Sequence, residues 1–194
     1  MFSWLLQGMM LWYLMRSTGT VLVILFTAST ALGVIATVRL RTVKWPRFAT
    51  QTLHRNVALL SMILLVAHIA TAVMSTAIDV RWYEAFIPRP GAYAATAFGF
   101  KSPVWLWFGI WANDLIVAII FTSLIRQNLS HRFWRWLHAS SYVAWVFAII
   151  HGLGIGVDRD EWWFKMVIVV CVGVVAAMGV IRVATMGHER ELDA

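Results

Sequence analysis

The sequence predicts an all-α integral membrane protein, a helical bundle of about five transmembrane helices. Three observations carry this reading. Hydrophobic residues fill 61% of the 194 positions and charged ones 13%, with a mean hydropathy of +0.75. A soluble domain carries about 25% charged residues, so this chain has too few to cover a wetted surface. Uncharged stretches recur at the length of about 20 residues that a membrane-crossing helix needs. Twelve Trp are a large excess, and indole rings favour the boundary between lipid and water.

The spans follow in order. Ser17 to Val38, Asn56 to Ile78 and Trp136 to Val157 contain no Asp, Glu, Lys or Arg. Ser102 to Ile125 is broken only by Asp114, and Trp162 to Ile181 has Lys165 one turn inside its start. The run from Met1 to Met15 is too short to cross at about 1.5 Å per residue, so residues 1–16 are expected to form an interfacial segment. It lacks the basic beginning of a signal peptide. Residues 17–183 form the transmembrane domain, and 184–194 a short cytoplasmic tail. No strand signal competes with the helices.

Orientation follows from flanking charge. The connection from Arg39 to Arg55 holds Arg39, Arg41, Lys44, Arg47 and Arg55 and no acid, and the one around Arg126, Arg132 and Arg135 is also purely basic. Both are expected to be cytoplasmic, which puts the N-terminus outside and the C-terminus inside. The net charge of +7 is thus spread between spans rather than gathered on a module that would bind nucleic acid. The long connection through Ile87-Pro88-Arg89-Pro90-Gly91 cannot be a continuous helix and is expected to cap the outer face. The one cysteine, Cys171, has no partner for a disulfide or a metal site within the chain and reads as a buried apolar residue.

The histidines carry the chemistry. His54 and His68 lie on the second span, fourteen residues apart, and His138 and His151 on the fourth, thirteen apart. A single imidazole at membrane depth is most simply an interhelical hydrogen bond. Two pairs on two parallel helices are harder to explain that way. His54 can face His138 and His68 can face His151, at two levels roughly 20 Å apart at about 1.5 Å per residue. Imidazoles facing across a bundle can supply both axial ligands of an iron porphyrin, so two levels imply two haems. A fourteen-residue step at about 100° per residue returns to within about 40° of the same face, but thirteen miss by about 140°. The fourth helix is therefore expected to bend or locally change its winding, and Ser140 and Ser141 can help by bonding back to its backbone.

Leu53-His54-Arg55, His68, Trp136-Leu137-His138 and Ile150-His151-Gly152 resemble the ferric reductase-like transmembrane domain. That superfamily includes NADPH oxidases, ferric reductases and the bacterial haem subunit of periplasmic methionine sulfoxide reductase systems. The resemblance covers about Arg16 to Val183, although the short bacterial members often have six spans. It implies two bis-His b-type haems, ligated by His54, His68, His138 and His151. NADPH oxidases continue into a cytosolic FAD and NADPH module. Here no glycine-rich dinucleotide loop occurs, so flavin or quinol is expected only through a partner.

Other residues keep two readings. Arg55, Arg135 and Arg132 suit haem propionates or simply the positive-inside rule. Arg16, unusual at an outer entrance, suits an outer propionate. Asp114 marks either a proton path or a structural hydrogen bond. His131 and His188 read as exposed, and Trp105, Trp134, Trp162 and Trp163 as interfacial anchors. The expected function is electron transfer from a cytoplasmic flavoprotein or membrane quinol to an extracytoplasmic acceptor: a ferric complex, a redox protein or oxygen. Alternatives are a single-haem quinol-linked subunit, or a haem-free transporter or assembly protein using His and Asp114 for metal or protons.

Overall fold

The computed structural model describes residues 2–38, 46–75 and 78–192. Among the described residues five helical stretches are long and apolar enough to cross a membrane: Gly8–Val38, Phe48–Met74, Val104–Leu124, His131–Ile155 and Trp162–Thr185. The chain is an all-α membrane bundle and a multi-pass membrane protein. Arg39, Arg41 and Lys44 lie outside the described residues, as do the side chains of Arg47 and His188.

Helix α1 runs unbroken over Phe2–Val38. From Phe2 the N-terminal segment is continuous with the first span, because nothing between Met15 and Gly19 breaks helical geometry. Pro46, in extended backbone, precedes α2, Arg47–Met74, and Pro103 precedes α3, Val104–Leu124. Proline suits a helix start, where its missing N–H costs nothing. Ser130 caps α4, His131–Ala139, its hydroxyl accepting from Phe133 N at 3.3 Å.

The fourth span is interrupted at Ser140, where its winding changes locally. The helix stops at Ala139 and resumes as α5, Ser141–Ile155. At Ser140 the backbone N–H is shared between the carbonyls of Trp136 and Leu137, 3.2 and 3.1 Å away, and its hydroxyl donates to Leu137 O at 2.6 Å. Helix α6 is Trp162–Leu192.

The connection between α2 and α3 does contain strands, contrary to the sequence reading. β1, Ala95–Ala97, pairs antiparallel with β2, Phe100–Ser102. Phe98 and Gly99 both take positive φ, 49° and 86°, as in the type I′ turns that favour two-residue hairpins. Three-residue strands are too short to show alternation. Ala95 and Ala97 bury against Trp105, and Val80 and Ala92 against Leu106 and Ile110, so the connection folds over one end of the bundle, here called the hairpin end.

Close packing joins α1 to α2, α3 to α5, and α1 to α6 and α5. Helices α2 and α5 are not among the closely packed pairs, which leaves room between them. Val23, Trp145, Ile149, Phe164, Ile168 and Cys171 form the core between α1, α5 and α6. Cys171 is buried there, as expected. The remaining apolar faces are exposed, as lipid-facing surfaces must be.

Candidate functional site

The four histidines meet in two pairs. At the end of the bundle away from the hairpin, the rings of His54 and His138 have centroids 6.1 Å apart and planes at 72°. Two imidazoles bound to one metal atom at about 2.0 Å would have centroids about 6 Å apart. His54 directs Nδ1 at the carbonyl of Ser29, 2.9 Å away on α1. His138 instead lies against Trp134, one turn earlier on α4, with centroids 5.0 Å apart and planes at 24°.

At the hairpin end, His68 and His151 line one cavity of about 220 Å³, with Arg16, Asn113, Tyr93 and Asp158 also on its wall. His68 Nδ1 is 3.1 Å from the carbonyl of Met15. His151 Nδ1 is 2.9 Å from the carbonyl of Trp105. A carbonyl only accepts, so each of these three rings carries its proton on Nδ1 and keeps Nε2 as a free lone pair. That is the tautomer a metal-ligating imidazole needs, with its second nitrogen fixed by a hydrogen bond.

A glycine stands beside each of these three rings, crowded at two of them, and the sequence reading missed all three. A β-carbon on Gly19 would stand 3.1 Å from His68 Cε1, one on Gly33 3.5 Å from His54 Cε1, and one on Gly109 2.5 Å from His151 Nδ1. Gly19 and Gly33 are fourteen residues apart on α1, the same step as His54 to His68 on the antiparallel α2. That equality was visible in the sequence.

The charged candidates are placed differently. Arg16 is engaged by Asp158, with Nε donating to Oδ2 at 2.9 Å and a second contact between Nη2 and Oδ1, while its guanidinium lies 4.1 Å from the Trp12 ring centroid. This carboxylate partner was not legible in the residues alone, because the two lie far apart in the chain. Arg55 and Arg135 are exposed at the His54 and His138 level. Asp114 is half-buried on α3 and has no hydrogen bond among the described residues. Its neighbour Asn113 is buried and donates to Ala85 O at 3.0 Å, tying α3 to the connection above. Trp105 is buried behind His151 rather than anchored at an interface, and Trp134 is half-buried against His138. Trp162 is exposed, as an anchor should be.

Outside the spans, Glu84 is almost fully buried. It accepts from Arg81 N at 3.0 Å and from Arg89 Nε at 2.8 Å. Burial pushes its pKa up, but the Arg81 backbone and the Arg89 guanidinium more than offset this and hold the carboxyl below its ordinary value.

Among the described residues no three His, Cys, Asp or Glu gather as a metal cluster. The donors are paired imidazoles across a gap between helices, a set that suits a planar group with two axial positions rather than a bare ion. Residues 18–149 match the family described as ferric reductase like transmembrane component. The chain belongs to that family. Membership indicates transmembrane electron transfer as the general function of this ferric reductase-like chain, within a family that generally binds haem and works with redox partners. The match includes His54, His68 and His138 and stops two residues before His151. No curated protein and no solved structure matches the chain.

Proposed function

We propose that this ferric reductase-like chain passes electrons across the membrane through two b-type haems, one held by His54 and His138 and the other by His68 and His151. The observation that carries the reading is the set of Nδ1 bonds to the carbonyls of Ser29, Met15 and Trp105, which leave Nε2 of three imidazoles free within the bundle. When bound, the haems supply one-electron carriers at two depths. The chain's own work is to hold and insulate them. With both histidines of a pair holding it, each haem would serve outer-sphere electron transfer, to oxygen as to any other acceptor, rather than bind a substrate at its metal. Leu22, Leu65 and Ile110 give the cavity at the hairpin level a buried apolar wall. Nothing in the transfer asks a side chain to donate or accept a proton.

Cations at both ends suit the propionates. Arg55 and Arg135 flank the His54 and His138 level, and Arg16 borders the cavity of the other pair with guanidinium donors left after its contacts to Asp158. The basic connections and this first level face the cytoplasm, and the hairpin end faces outward, with the N-terminus outside and the C-terminus inside. A cytoplasmic flavoprotein or a membrane quinol is the donor. An extracytoplasmic ferric complex, redox protein or oxygen is the acceptor.

The test is haem per chain by pyridine haemochrome on purified protein. Two extractable b-type haems are expected, since the sequence has no Cys-x-x-Cys-His attachment motif. One haem per chain would restrict the reading to the His68 and His151 cavity. A colourless protein from haem-sufficient cells would end it.

A further inference from the structure

Three of the four histidines are held alike. On the facing helix one backbone carbonyl accepts from Nδ1, and a glycine stands four residues later: Ser29 and Gly33 for His54, Met15 and Gly19 for His68, Trp105 and Gly109 for His151. Helix geometry explains the repeat. A side chain leans back over the turn preceding its own Cα, so a β-carbon at that position comes against a ring reaching for the carbonyl four residues earlier, severely at Gly109, tightly at Gly19 and in ordinary contact at Gly33. Glycine leaves the carbonyl open.

His138 is the exception. Fourteen residues after Gly109 on α3, the step that separates Gly19 from Gly33, stands Ser123. The Nδ1 of His138 is buried and has no hydrogen-bond partner among the described residues. Its ring rests on Trp134 instead. The indole is in turn fixed from two sides: Nε1 donates to Ser123 Oγ at 3.4 Å, and the Arg126 guanidinium lies 4.5 Å from its centroid.

We propose that Trp134 is the positioning residue for His138, its indole face orienting this imidazole where a carbonyl and a glycine orient the other three, and that His138 is in consequence the most easily displaced of the four. A hydrogen bond to Nδ1 fixes both the plane and the rotation of the ring and raises its basicity. Stacking fixes the plane alone. The inference rests on the haem reading above.

Two substitutions separate an orienting face from mere bulk. Trp134→Phe keeps an aromatic face, and Trp134→Leu fills space without one. Both are read by optical and electron paramagnetic resonance spectra of the purified haem-loaded protein, in the wild-type background and in His68→Ala, which isolates the His54 and His138 haem. Trp134→Phe should stay low-spin throughout. Trp134→Leu should turn high-spin or lose about half the haem, all of it from the His54 and His138 pair, with added imidazole restoring the low-spin signal. A Trp134→Leu protein that stays fully low-spin, or one whose losses fall equally on both pairs, overturns the proposal. Wild-type protein without haem overturns instead the reading beneath it.

Discussion

The imidazole of His151 occupies the space beside Gly109 so closely that a β-carbon there would lie 2.5 Å from Nδ1. Real contacts of that kind do not occur, so the absence of a side chain on α3 is a condition for the bond between His151 and the Trp105 carbonyl. One glycine on one helix thus sets the orientation of a histidine on another.

Gly109→Ala should therefore displace His151. Overpacking of a well-packed site costs about 1–3 kcal/mol, and the haem assigned to His68 and His151 should be lost or turn high-spin. Gly33→Ala is the matched control. There the nearest ring atom would be 3.5 Å from the new carbon, an ordinary contact, so both haems should survive. Equal haem loss in the two variants would separate the glycines from the histidines they back.

Replacement of the histidines should sort by level. His68→Ala and His151→Ala should each remove the same haem and about half the absorbance, while His54→Ala and His138→Ala remove the other, since one axial ligand and an unsatisfied cavity remain in each case. Potentiometric titration of the four proteins would show which carrier is missing. Spectra alike for His54→Ala and His68→Ala, with all haem retained, would contradict the assignment.

Glu84 should make the hairpin end acid-sensitive. Its folded pKa is depressed, so its contribution is fully present above the unfolded carboxyl value of about 4.3 and is lost as pH falls through the lower folded value. Glu84→Gln should lower stability by about 1–3 kcal/mol at neutral pH, because it weakens charged hydrogen bonds to a buried acceptor. Melting curves of both proteins against pH check this. The gap between them should close on acidification, and a gap that widens would refute the sign.

Direction is tested in sealed vesicles of known orientation. NADPH alone should leave the haems oxidised, whereas a flavin reductase with free flavin, or a quinol, should reduce them. Reduction should begin from the face bearing Arg126, Arg132 and Arg135, and an acceptor confined to the other face should reoxidise them. Raised salt should slow a protein donor and hardly affect a neutral quinol. A donor effective only from the hairpin end would invert the topology.

Much of the architecture is local and so was legible in the residues alone. A bilayer requires every backbone bond of a spanning segment to be satisfied, which a helix does within itself, and apolar length therefore marks the five spans without knowledge of their neighbours. The thirteen-residue step from His138 to His151 likewise called for a bend or a change of winding, and the regular helix is interrupted at Ser140. What tertiary structure decided is how helices meet. The carbonyls of Met15, Ser29 and Trp105, the glycines beside the rings, the pairing of Arg16 with Asp158 and the unpartnered Nδ1 of His138 all depend on which faces of α1, α3 and α4 turn inward. In lipid that choice is not driven by hydrophobicity, since every apolar face is equally at home there. It rests on close packing and a few polar contacts, which join residues remote in the chain.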